Sequence, residues 1–137
     1  VSLEYSAEIS KEVRKMRRPD LLILIAVWEF ISAFGAFIGI ISIAVFAFPE
    51  VSSLHGIGSV GGIFGLSIAV LVLLFYLSIA IAGGIGLLGG KEWGRILSLV
   101  HGALSLLWIP FGTIIGILII VYLIKPEIRD YFESAQK

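Results

Sequence analysis

Apolar positions fill two long, nearly unbroken stretches of this chain, and polar positions gather between and outside them. From Leu21 to Phe48 the only acidic, basic or histidine residue is Glu29, and from Gly56 to Leu88 there is none. The joint Lys91-Glu92-Trp93-Gly94-Arg95 carries the only acidic or basic residues between Glu50 and Lys125, and two shorter apolar runs follow it. Stretches this long and this apolar are the signature of membrane-spanning helices. The pattern predicts helices over 21–48, 56–88, 93–109 and 111–125. The fold class is therefore all-α: an antiparallel four-helix transmembrane bundle with short amphipathic N- and C-terminal segments. Residues 1–19 form a cytoplasmic or interfacial segment, 20–125 the transmembrane domain and 126–137 a cytoplasmic tail.

Helix lengths are uneven. The first run would be roughly 42 Å long, ample for a hydrocarbon core of about 30 Å, and Pro49-Glu50 is expected to end it. The second is longer still, so it either projects from the membrane or is interrupted, with Gly83-Gly84 as its expected soft point. The fourth holds only about 14 clearly apolar residues, near 21 Å, so the last two runs are either a short spanning hairpin or a re-entrant pair.

Composition supports the membrane reading. Of 137 residues, 58% are hydrophobic and only 15% charged, against about 25% charged in an average globular domain. The net charge is zero, and basic residues near the start interleave with Glu4, Glu8, Glu12 and Asp20, which argues against a nucleic-acid partner. There is no cysteine, so disulfides, thiolate chemistry and cysteine metal sites are excluded. All ten Lys and Arg lie in the first 18 residues, at Lys91/Arg95, or from Lys125 onward. By the positive-inside rule, both termini and the central joint then face the cytoplasm, in a multi-pass cell-membrane protein.

Ile9, Val13 and Met16, amid Lys11, Arg14, Lys15, Arg17 and Arg18, suit a helix lying at headgroup level; a polar tail is the alternative. Ile128, Tyr131 and Phe132 in the tail suit a second interfacial helix or a solvated end. Small residues one turn apart, Gly35/Gly39, Gly61/Gly65 and Gly112/Gly116, with Gly58/Gly62 and Gly86/Gly90, mark close helix packing. That packing is within the chain, between two copies, or with another membrane protein. A shift of 77 residues aligns Arg18, Gly35 and Gly39 with Arg95, Gly112 and Gly116, a weak internal repeat that Pro110 interrupts.

Glu29 and His101 are the candidate intramembrane polar site. Each lies roughly 9 to 12 Å from the cytoplasmic end of its helix, and a charge facing lipid is costly, so both are expected to face the interior. A mutual hydrogen bond, pairs with Ser32, Ser98 or Ser105, a site for a proton, ion or polar substrate, and exposure to headgroups by local thinning are the readings. His55 beside Glu50 lacks the ligands for a metal site. No hydrolase elbow, HExxH, P-loop or paired carboxylates occur, so neither enzyme catalysis nor a cofactor is expected. Trp93, Trp108 and Tyr122 fit an aromatic belt, and Trp28 does not.

Arg18-Pro19, Gly90-x-x-Trp93-x-Arg95, Pro110-x-Gly112-Thr113-x-x-Gly116 and Tyr122-x-x-x-Pro126-Glu127 resemble the turns and helix ends of small four-span bacterial and archaeal membrane proteins of uncharacterised function. The resemblance implies an independently folding four-helix unit with cytoplasmic ends, and no activity or catalytic residue. The function expected is a membrane scaffold or interaction module; the alternative is a small ion or proton channel or transporter using Glu29 and His101.

Overall fold

Away from water, a chain this apolar satisfies its backbone N–H and C=O groups by bonding them within each segment. The computed structural model describes residues 2–16 and 20–135, which are helical almost throughout, with no strand among the described residues. Helix α1 spans Ser2–Met16 and α2 spans Asp20–Ser42. A π-helical turn over Ile43–Ala47 carries α2 directly into α3, Phe48–Ser53. Helix α4 covers Ile57–Leu88, α5 Glu92–Ser105, α6 Phe111–Ile124 and α7 Pro126–Ala135. Two of these rods, Leu21–Ser53 and Ile57–Leu88, are long and apolar enough to cross a membrane.

Three expected boundaries are corrected. Pro49 does not end the first rod: it sits in the first turn of α3, where its missing N–H costs little, and the wider π turn just before it keeps the rod continuous. The chain leaves the helix only at Leu54, whose backbone is extended, and Gly56 with φ 72° completes the turn. Gly83-Gly84 do not interrupt α4; both are buried where other helices cross, so tertiary packing outweighs their poor propensity. Helix α5 stops at Ser105 rather than 109. There the Trp108 N–H bonds the Ser105 carbonyl, and Thr113 Oγ1 donates to the Leu106 carbonyl at 2.9 Å.

The central joint is built by glycine and charge. Gly90, with φ 66°, follows the end of α4; its N–H donates to the Leu87 carbonyl at 3.1 Å, and the Lys91 N–H to that of Gly86 at 2.8 Å. This is a Schellman closure, which requires the left-handed residue that glycine supplies. One turn on, Arg95 Nε donates to Glu92 at 3.0 Å, and Arg95 Nη1 to the Leu123 carbonyl at 3.1 Å, tying the start of α5 to the end of α6.

The helices fold back on one another in sequence. Val51 meets Gly62 and Glu29 meets Gly84 between the first rod and α4. Gly86 meets Gly94 between α4 and α5, and Gly102 meets Gly116 between α5 and α6. At the Lys91 end, Leu22, Ile25, Ala26, Leu87, Ile119, Leu123, Ile128 and Phe132 form one apolar core. Helix α7 turns 62° from α6 and seats Ile128 and Phe132 in that core, so the tail is docked rather than a solvated end. In α1, Leu3, Tyr5 and Ile9 are exposed; the side chains of Val13, Arg14, Lys15, Met16 and Asp20, and all of Arg17, Arg18 and Pro19, lie outside the described residues.

The two hairpins differ in reach. The 33-residue first rod and 32-residue α4 are each about 50 Å long, whereas α5 and α6, with 14 residues apiece, are about 21 Å. Tyr76 of α4 lies against His101, near the end of α5, so the Ile57 half of α4 extends beyond the α5–α6 hairpin.

Candidate functional site: a buried polar junction

Three helices bring their inward faces together around Glu29. On α2 the buried positions are Leu22, Ile25, Ala26, Glu29, Ala33 and Ala36, spaced by three and four residues. On α5 they are Gly94, Ser98, His101, Gly102 and Ser105, a stripe of small and polar residues. On α4 the stripe is Ala80, Gly83, Gly84 and Leu87. Such spacing puts each set on one helix face.

Glu29, Ser98 and His101 are each 0% exposed. His101 Nδ1 lies 2.5 Å from Glu29 Oε2, a contact between α2 and α5 that is an ion pair when the imidazole is protonated. The contact is close but lacks the alignment of a directed hydrogen bond. Both Glu29 oxygens, both His101 ring nitrogens and Ser98 Oγ have no hydrogen-bond partner among the described residues. The Tyr76 ring meets the His101 ring edge-on, with centroids 4.5 Å apart and planes at 61°. Ser105 Oγ donates to the His101 backbone carbonyl at 2.9 Å.

Gly83 and Gly84 let Glu29 fit. A Cβ on Gly83 would stand 2.8 Å from Ser98 Oγ and 3.7 Å from the Glu29 carboxyl carbon; one on Gly84 would press on Phe30 and on Glu29 Cβ at 3.3 Å. A polar group in an apolar interior needs a partner to offset its desolvation. This junction supplies a charge partner and little else. It can hold charge or a proton; among the described residues no group of three or more His, Cys, Asp or Glu is placed to hold a metal ion.

The structure thus brings Glu29 and His101 together, with Ser98 adjacent. Tyr76 is the member sequence reasoning missed, although it falls seven residues before Gly83 and hence on the same face of α4. The glycine candidates divide. Gly112 and Gly116 are buried against α5, where a Cβ would meet Ser105 and the Gly102 carbonyl. Gly39 has Leu73 Cδ1 3.5 Å from its Cβ position. Gly35, Gly61 and Gly65 face open space with nothing within 4 Å of a Cβ there, so among the described residues no close packing occurs at those three. His55 is exposed in the Leu54–Gly56 turn. Trp28, partly buried, packs on the apolar core, and its Nε1 is unpartnered. No family model, curated protein or solved structure matches this chain.

Proposed function

We propose that this chain is a multi-pass cell-membrane protein that works as an interaction module. The unequal reach of its two hairpins carries the reading. Gly65 lies eighteen residues, five full turns, before Gly83 and therefore on the same face of α4. That face is covered by α5 at Gly83 and open at Gly65. Lipid offers no hydrophobic drive for helix association, so small residues on a continued seam favour a second helix pair, which gains dispersion contacts that lipid chains make less well. A second copy of the chain is the partner that fits, by placing its own open seam there. The proposed arrangement is an antiparallel four-helix bundle with both termini and Lys91–Arg95 on the cytoplasmic side, since Lys and Arg are segregated to those regions. The resemblance to small four-span bacterial and archaeal membrane proteins fits this arrangement.

Single cysteines at Gly65 test it. In native membranes under mild oxidation, Gly65→Cys is expected to give a covalent dimer, and Gly65→Trp to lower the mass in mild detergent to that of a monomer. Absence of cross-linking together with a monomeric mass for wild type would sink the dimeric module.

The buried pair favours a second reading, a small channel or transporter in which Glu29 takes up the permeant proton or cation. Liposomes carrying wild type, Glu29→Gln or His101→Ala separate the two. The module reading expects no flux above empty vesicles in any of them.

A further inference from the structure

Amphipathic helices flank the bundle at either end of the chain, and the protein treats them differently. Helix α7 seats Ile128 and Phe132 in the apolar core. In α1 every residue from Ser2 to Glu12 is exposed. Tyr5 and Ile9 stand about one turn apart on one side of α1, and the sequence carries the same register on to Val13 and Met16. Ala7 and Lys11, each two residues from Ile9, fall on the opposite side, and Leu3 lies off the stripe. A helix of 15 residues is marginal alone in water, because most helical stability comes from covering such a stripe. The bundle does not cover Tyr5 or Ile9, so another surface does.

Charge identifies that surface. Glu4 and Glu8 occupy the first half of α1; Lys11, Arg14, Lys15, Arg17 and Arg18 then follow within eight positions, with Glu12 the one acid among them. Acids first and bases last suit the helix dipole without any partner. The dipole does not explain why five bases crowd against a membrane-spanning rod: only three residues separate Met16 from Asp20, where α2 begins. Clusters of about four to eight Lys and Arg beside a spanning helix are drawn to anionic lipid, whose surface potential extends about a Debye length into solution. Helix α7, whose apolar side the core already covers, holds three acids and one base and has no such attraction.

We propose that α1 docks flat on the anionic headgroup layer of the cytoplasmic leaflet, with Tyr5 and Ile9 among the headgroups and its basic residues on lipid phosphodiesters. The docking rests on the multi-pass reading of the chain, in which α2 enters the membrane beside α1. Two apolar side chains bind weakly by themselves, but the short tether to α2 makes the event intramolecular and raises the effective concentration of lipid. A second copy of α1 is a poorer occupant. The seam of a helix pair, at alternating spacings of three and four, would run Ser2, Tyr5, Ile9, Glu12, Met16 and bury a carboxylate in its middle.

The chain has no cysteine, so single nitroxide labels can be placed without background. Full-length protein carries the label in Ile9→Cys, Ala7→Cys or Phe75→Cys, Phe75 being a side chain of α4 exposed from the protein. Nanodiscs of phosphatidylcholine alone are compared with discs in which one lipid in three is phosphatidylglycerol. Dissolved oxygen reports contact with lipid, and a water-soluble nickel chelate reports contact with water. In the anionic discs the Ile9 label is expected in oxygen contact and the Ala7 label in nickel contact. The ratio of docked to free α1, read from the two components of the Ile9 spectrum, should fall about 30-fold when Arg14 and Lys15 both become Gln, about fivefold for each charge. High salt and phosphatidylcholine alone should lower it in the same direction. An Ile9 label facing water in anionic discs while Phe75 contacts oxygen would overturn the docking and leave the membrane reading standing. Equal docking in both kinds of disc would overturn the recognition of lipid charge. An Ile9 label shielded from oxygen and nickel alike would place α1 on protein, whether α7 or a second copy, and overturn lipid as its partner. A Phe75 label facing water would remove the membrane reading and the docking with it.

Discussion

At the residue scale, a single ionisable group decides which way α2 faces. Glu29 must point inward, because a carboxylate on the lipid side costs several kcal/mol, and Ala26, Ala33 and Ala36 follow it by helical geometry. Gly35 lies six residues on, about 120° around the helix, and so points away. The packing surface of α2 is therefore its alanines, with Gly35 open and Gly39 in ordinary contact with Leu73. Glycine spacing suggested the other face; the position of Glu29 held the answer and was legible in the sequence. The same logic sets a prediction. Glu29→Leu leaves the buried His101 ring without its polar partner and should cost about 1–3 kcal/mol, whereas Glu29→Leu with His101→Leu replaces both groups and should recover most of that loss. Unfolding in detergent micelles measures both. Equal losses in the single and double variants would show that the contact contributes nothing to holding α2 on α5.

At the scale of elements, what the sequence revealed was the existence of helices, and what it concealed was their ends and partners. Two apolar runs of such length have no alternative to helix in a bilayer, but Pro49 and Gly83-Gly84 read as breaks because local propensity assigns them so. The π turn before Pro49 and the crossing at Gly83 are tertiary facts with no local signal. Nor does spacing alone mark Gly86 against Gly94, a close backbone approach between α4 and α5. A Cβ on Gly86 would run into the Gly94 backbone and the Trp93 ring, so α4 and α5 would have to separate. Gly86→Ala should thus cost about 1–3 kcal/mol, the range for overpacking a closed interior. Gly61→Ala, with nothing near its Cβ position, should leave the fold at least as stable and gain slightly from helix propensity. Thermal unfolding of the two variants side by side checks the contrast. A Gly86→Ala protein as stable as Gly61→Ala would mean that the Gly86–Gly94 contact is not closed in the membrane.

At the scale of the whole molecule, charge segregation argues for topology and helix length argues about depth. The two rods of the α2–α4 hairpin exceed the hydrocarbon thickness of about 30 Å, whereas α5 and α6 fall short of it by roughly 9 Å. The turn joining these short helices presents Leu107, Trp108, Ile109 and Phe111, all exposed from the protein, an apolar tip suited to lipid with a tryptophan near the interface. Local thinning of the bilayer can bring such a tip to the far surface at a modest cost per ångström. Four crossings thus predict that single cysteines at Ser53 and Ile109 react with an impermeant reagent added outside intact cells. A cysteine at Glu92 should react only after the membrane is permeabilised. Reaction at Glu92 from outside would invert or refute the topology. Silence at Ile109 with reaction at Ser53 would place the α5–α6 turn inside the hydrocarbon, leaving two full crossings and a re-entrant hairpin. The buried pair would then be held between spanning helices and a hairpin anchored only at its Lys91 and Lys125 end, where Arg95 and the docked α7 already fasten it.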